Sequence, residues 1–176
     1  MGCTNCSYDS SGTPKGCGDK GHCGSGSCNK RNTYDWINTL ELDDPMEFNM
    51  VEVSFKKGSR KEFFIKKDHL SCDTGDMVLV ESSSGYDVGR VSLSGDLVRL
   101  QMKKKRVGED RITLSIIRKA NERDLEKLDE ARSLEKQAMV QARAISRSLG
   151  LDMKVGDVEF QGDKRKATFY YTADGR

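Results

Sequence analysis

The sequence predicts an α+β protein: a small antiparallel β-barrel is followed by a long helix and a β-hairpin, and an irregular Cys-rich N-terminal arm precedes them. Short alternating segments separated by tight turns fill residues 50–100. One apolar stripe at helical spacing extends over 122–149. Five of the six cysteines fall within the first 28 residues. We therefore expect three parts: an arm over 1–32, a barrel domain over 33–102 and an α+β domain over 103–176.

The arm contains no Val, Ile, Leu or Phe, so it cannot form a hydrophobic core. A bound metal would give it another source of order, because thiolates converging on one ion hold a loop together. Six candidate ligands exceed the four that one zinc ion or one iron–sulfur cluster requires, so the metal and its four ligands stay open. An arm without a bound metal would be a solvated tail. A disulfide framework is a weaker alternative in a reducing compartment. The candidate metal ligands are Cys3, Cys6, Cys17, His22, Cys23 and Cys28.

The barrel prediction rests on five short strands joined by turns. Met50–Phe55 alternates and returns through Arg60–Ile65 as a β-hairpin. Three further segments follow at similar spacing, and five short strands within about fifty residues are typical of a small closed or half-closed barrel. These segments are Met77–Glu81, Tyr86–Leu93 and Leu97–Leu100.

A basic run joins the predicted barrel to the helical part. Five cations within eight residues could contact nucleic-acid phosphates, since cations held on one face release condensed counterions. A solvated linker explains the same run equally well. No aromatic residues are interleaved, so reading of individual bases is not indicated. The candidate nucleic-acid contacts are Arg99, Lys103, Lys104, Lys105 and Arg106.

The helical period begins at Glu109 and predicts a break near Asn121, which with Asp124 could cap a second helix. Gly150 stands where a left-handed residue would end that helix. A hairpin over 157–172 would cover its apolar stripe. Two strands and one helix make a thin core, so we expect this domain to be truncated, with a missing part from the same polypeptide or another.

Composition and motifs argue against several classes of protein. Hydrophobic residues make up 35% and charged residues 33% of the 176 residues, and the net charge of +2 is too small for a dedicated nucleic-acid packing protein. No apolar stretch predicts a membrane span or a secretory leader, so we expect a cytoplasmic protein. No P-loop, nucleophile elbow or zinc-protease motif occurs, and we expect no enzyme. His69 and Cys72 are interpreted as a turn residue and a small, partly buried thiol.

Five segments, taken in order, carry a resemblance over roughly residues 50–176. They are similar to the RicT/YaaT family of bacterial proteins, which carry the PSP1-type C-terminal region. The Cys-rich start followed by Asn32–Trp36 resembles the Bacteroidetes branch of that family. The segments are Gly75–Glu81, Gly85–Val91, Ile117–Asp124, Leu149–Lys154 and Thr168–Arg176.

The resemblance implies a non-enzymatic subunit of a cytoplasmic complex with two partner proteins that bears iron–sulfur clusters and assists RNase Y in processing messenger RNA. The family's cysteine-rich motifs lie beyond the equivalent of Arg176, so its cluster ligands transfer to no residue here, and we expect a piece of a longer protein. An alternative hypothesis is an RNA- or ribosome-associated metal-binding protein that uses the arm and the basic run. A third is redox sensing through Cys3 and Cys6.

Overall fold

The computed structural model describes residues 6–8, 14–17, 48–58, 60–67 and 70–175. Their regular elements are nine β-strands and two α-helices, which confirms the α+β class. The elements are β1 (Cys6–Tyr8), β2 (Pro14–Cys17), β3 (Met50–Phe55), β4 (Arg60–Ile65), β5 (Met77–Ser82), β6 (Gly85–Leu93), α1 (Asp96–Lys105), β7 (Ile116–Lys119), α2 (Glu122–Ser148), β8 (Met153–Phe160) and β9 (Ala167–Ala173).

The chain divides into two compact units, and neither is continuous in sequence. The first takes residues up to Asp76 together with Arg90–Thr113, and the second takes Met77–Gly89 and Leu114–Arg176. Strand β6 therefore contributes its first half to the second unit and its second half to the first. The three-part division at residues 32 and 102 stays a prediction.

The first unit contains an antiparallel sheet with the order β4-β3-β6, on which α1 packs. Strand β3 is buried on both faces. Val51, Val53 and Phe55 alternate onto one face, and Glu52 lies on the other. The core beneath α1 lies on the Glu52 face and is formed by Phe48, Phe63, Leu93, Leu97, Val98 and Met102.

The predicted fifth strand, Leu97–Leu100, is wrong, because this segment lies in α1. A period-two pattern would bury Leu100 together with Val98, but Leu100 is 58% exposed. Val98 and Met102 are instead buried at a spacing of four residues, which is the helical period. Among the described strands β4 pairs only with β3 and β7 only with β5, so these strands do not close into a barrel.

The helical pattern predicted from Glu109 is also wrong up to residue 120. A single 3₁₀ turn covers Glu109–Arg111, and β7 follows. Strand β7 pairs antiparallel with β5, with Val78 opposite Lys119, and this pairing buries Ile116 completely. Packing in the sheet therefore overrides the weak local preference for helix.

The second unit contains β5 between β6 and β7, and α2 packed on the β8–β9 hairpin. Both predicted ends of α2 are confirmed. Asn121 accepts a hydrogen bond from the Asp124 amide at 3.0 Å, and the Asp124 carboxylate accepts from the Asn121 amide at 2.9 Å. This capping box contributes on the order of 1 kcal/mol to helix stability. The helix ends before Gly150, whose φ of 62° is left-handed.

Polar contacts fasten the β8–β9 hairpin to the start of β6 within the second unit. Gln161 donates from Nε2 to the Tyr86 carbonyl at 3.0 Å, and the Gly162 amide donates to Asp87 Oδ1 at 2.9 Å. A Cβ at position 162 would lie 3.2 Å from the Val88 nitrogen, so only glycine allows this close approach without a shift of the neighbouring backbone.

No helix among the described residues is both long enough and apolar enough to cross a membrane.

Candidate functional site on helix α1

A fully buried glutamate lies beneath α1 and contacts two lysines and a serine. Glu52 has no exposed surface. Its Oε2 accepts a hydrogen bond from Lys105 Nζ at 2.8 Å, and its Oε1 accepts one from Ser92 Oγ at 2.7 Å. Lys61 Nζ lies 3.4 Å from Oε1. We call these four residues the Glu52 cluster. It joins β3, β4, β6 and α1 through one carboxylate.

The register of the sheet explains why these groups meet. Glu52 pairs with Phe63 on β4 and with Leu93 on β6, and Lys61 pairs with Ser54. Residues directly opposite each other in an antiparallel sheet share a face, so Lys61, Phe63 and Glu52 all lie on the α1 side. The last turn of α1 then supplies Lys105 from above.

Electrostatics keep Glu52 ionised despite its burial. Burial alone raises the pKa of this carboxyl group, because it disfavours the charged form. The hydrogen bonds from Lys105 and Ser92 and the charges of Lys61 and Lys105 outweigh that effect, and the pKa lies below its ordinary value. The Glu52 cluster is therefore a buried anion with two cationic partners.

Two of the five predicted phosphate contacts are occupied within the protein. Lys105 belongs to the Glu52 cluster. Arg99 lies 3.1 Å from Asp96 Oδ1, and its guanidinium carbon lies 4.6 Å from the Phe48 ring centroid. Both side chains therefore stabilise the fold of the first unit.

The other three cations of the basic run are exposed. Lys103, Lys104 and Arg106 have no hydrogen bond or ion pair from their side chains to any residue that the structure describes. Arg106 ends α1 in the left-handed conformation with φ of 55°. We call these three residues the α1 cations. The negative end of the helix dipole favours cations at these positions.

Sequence reasoning missed Glu52, Lys61 and Ser92. In an alternating strand, a charged residue between two valines is expected on a solvent face. That expectation failed because α1 was predicted as a strand, so nothing was available to cover this face of the sheet. The only local sign of a buried carboxylate was that Val51, Val53 and Phe55 already form a complete apolar face of the strand, with Glu52 as the single charged residue on its other face.

The predicted metal ligands lie mostly outside the described residues. The ligands outside the described residues are Cys3, His22, Cys23 and Cys28. His69, which was interpreted as a turn residue, also lies outside them. Cys6 and Cys17 are described by their backbone, and they are direct partners in the β1–β2 ladder. Cys72, which was expected to be partly buried, is a fully buried thiol. Within the described residues no three potential ligands from His, Cys, Asp and Glu form a group that could hold a metal ion.

A second charged pair stabilises the start of α2. Arg118 donates two hydrogen bonds to Asp124, at 2.5 and 3.1 Å. The bond from Arg118 lowers the pKa of Asp124 and outweighs the opposing effect of burial. The same bond raises the pKa of Arg118. Because Asp124 also belongs to the capping box, this pair fixes the position of β7 relative to α2.

The second part of the second unit, residues 114–176, matches the family model described as the PSP1 C-terminal conserved region. The chain is 34% identical over 138 residues to the Stage 0 sporulation protein YaaT of Bacillus subtilis (strain 168), a match covering 73% of this chain and 44% of YaaT. Residues 114–176 are therefore a PSP1-type C-terminal region.

A second relative matches a similar share of this chain. An uncharacterized protein of Schizosaccharomyces pombe is 32% identical over 151 residues, which cover 73% of this chain and 20% of that protein. The chain thus spans less than half the length of the curated relatives that it matches. No solved structure is significantly similar to it. The resemblance to the PSP1-type RicT/YaaT proteins noted in the sequence is confirmed.

We predict that Glu52→Gln lowers the free energy of unfolding at pH 7 by about 1–3 kcal/mol, because it removes the partner of two lysines. Because the pKa of Glu52 is lowered in the folded state, the ionised carboxylate stabilises the fold at pH values above the ordinary pKa of glutamate, about 4.3. This stabilisation is lost as the pH falls. The variant should therefore lose less stability than the wild type on acidification. Urea unfolding at a series of pH values measures both effects.

The matched control is Glu62→Gln, which removes the same charge from β4, where the side chain is 45% exposed. It should change the free energy of unfolding by less than about 0.5 kcal/mol. If Glu52→Gln kept the stability and pH profile of the wild type, the described role of Glu52 would be wrong.

Proposed function

We propose that the protein is a non-enzymatic regulatory subunit of a cytoplasmic, iron–sulfur-containing complex that assists RNase Y-dependent processing of messenger RNA, as the resemblance to the RicT/YaaT proteins implies. The observation that carries the proposal is the match to YaaT over 73% of the chain. The sporulation protein name of that relative supports a role in regulating a cellular programme.

Exposed apolar side chains of the second unit support a docking function. Leu134, Val140 and Ile145 lie exposed on α2, and Phe169 and Tyr171 lie exposed on β9. Large apolar side chains that remain exposed occur at protein–protein contacts. We propose that partner subunits bind at the exposed apolar positions of α2.

We also propose that the Cys-rich arm binds zinc or an iron–sulfur cluster. Thiolates are suitable donors for both. The β1–β2 ladder supports this proposal because Cys6 and Cys17 are paired in it, and residues paired in this way have Cα atoms about 4.5–5.5 Å apart. A bound metal would supply order to an arm that lacks a hydrophobic core. An RNA- or ribosome-associated metal-binding protein remains the second candidate function, and the α1 cations favour it.

Affinity purification of the tagged chain from its source organism should recover an RNase Y-type endonuclease or partner subunits. We expect Val140→Glu combined with Ile145→Glu to reduce that recovery, because the two substitutions place charges on the exposed apolar positions of α2. The control is Gln137→Glu with Gln141→Glu, which adds the same charge at exposed polar positions of the same helix. Recovery of neither a nuclease nor partner subunits would contradict the proposed function.

Anaerobically purified protein should contain one zinc ion or one iron–sulfur cluster per chain, and this metal is lost when Cys17 and Cys23 are both replaced by serine. Elemental analysis gives the stoichiometry, and the visible spectrum separates colourless zinc from a brown iron–sulfur cluster. Cys72→Ala is the control, because Cys72 is a buried thiol outside the arm and its loss should leave the metal content unchanged. Metal that survives the double replacement would refute the arm as the site.

A further inference from the structure

The α1 cations differ from the other charges of α1 because nothing in the described part of the chain neutralises them. Lys105 is held by Glu52, and Arg99 is paired with Asp96. Lys103, Lys104 and Arg106 are exposed within four residues at one helix end. We infer that they form a binding surface for the phosphate backbone of single-stranded RNA. That the polyanion is RNA and not another one rests on the proposed function, which involves messenger RNA.

The Glu52 cluster determines where these cations lie. Because Lys105 is fixed to a fully buried carboxylate, the last turn of α1 cannot rotate about its axis without breaking that pair. Successive helical residues are about 100° apart around the axis, so Lys103 and Lys104 are directed away from the face that carries Lys105. Arg106 then follows in the left-handed conformation. The three cations therefore lie within four residues at an end of the helix whose orientation is fixed.

The stretches of the first unit that form the sheet and α1 carry an excess of positive charge. Residues 48–76 and 90–113 contain thirteen Lys and Arg against eight Asp and Glu, and residues 77–89 and 114–175 contain twelve against thirteen. Residues 1–47, which belong to the first unit as well, add four Lys and Arg against seven Asp and Glu. The positive excess is therefore local to the stretches around α1. A local excess of this kind attracts polyanions and accelerates their association.

The structure favours RNA over an anionic membrane. A helix that binds a membrane surface buries a broad apolar face among the lipids. The apolar face of α1, which consists of Leu97, Val98 and Met102, is already buried in its own unit. Leu100 alone remains exposed among the large apolar residues of this helix. The α1 cations are also unaccompanied by exposed aromatic residues on α1, so binding should depend on phosphates and not on base identity.

The test measures binding of the full chain to fluorescently labelled 20-nucleotide single strands, one of oligouridine and one of mixed sequence, at several salt concentrations. The variant carries Lys103→Gln, Lys104→Gln and Arg106→Gln. Each phosphate contact contributes about 0.7 to the slope of log affinity against log salt for a single strand. The variant should therefore flatten the slope by about two units with both RNAs. Lys104→Gln alone should flatten it by about 0.7.

The matched control is Lys136→Gln, Arg147→Gln and Lys154→Gln, which removes the same charge from exposed positions of the second unit. It should leave the slope unchanged. An equal effect of both triple variants, or no effect of either, would overturn the proposal. Binding to vesicles of phosphatidylserine and phosphatidylcholine that needs the α1 cations, with no RNA binding, would overturn it as well. The assay uses purified protein, so its outcome does not depend on the recovery of partner subunits.

Discussion

The first unit depends on an ionised carboxylate that has no exposed surface. Glu52 is kept in its charged form by Lys105, Ser92 and Lys61, which come from three different elements. Removing one partner of a buried pair leaves an uncompensated charge, which costs far more than the pair itself contributes. Helix α1 must therefore keep its position over the sheet. The exposed cations at the end of the helix take their positions from this constraint.

Much of the second unit could be predicted because its signals are local. The capping pair of Asn121 and Asp124 and the left-handed Gly150 lie at the ends of α2, and the structure confirms both. Of the predicted apolar stripe only Ala131 is fully buried, and Leu134 and Ile145 are exposed. Helix α1 could not be predicted in this way. Its ten residues bury only Leu97, Val98 and Met102, and what decides their conformation is contact with residues distant in sequence.

In the candidate site, too, some features are visible in the local sequence, and others depend on residues that are distant in sequence. The basic run was visible as a cluster of charges, so the α1 cations were found from sequence. The sequence did not show that Arg99 and Lys105 differ from these three cations, because the difference depends on which carboxylates lie nearby in the fold. The family was recognised from several ordered segments, none of which is specific alone, and the comparison with YaaT bears it out. The composition of the arm indicates candidate metal ligands, but it does not show which four of the six would bind a metal.

A double-mutant cycle between Glu52 and Lys105 tests the central claim most directly. Glu52→Gln, Lys105→Gln and the double variant are compared with the wild type by urea unfolding at pH 7. If the two groups hold α1 in place as described, the effects are non-additive, with a coupling free energy of about 0.5–3 kcal/mol. Additivity within about 0.3 kcal/mol would show that the pair does not hold the helix, and would contradict the account.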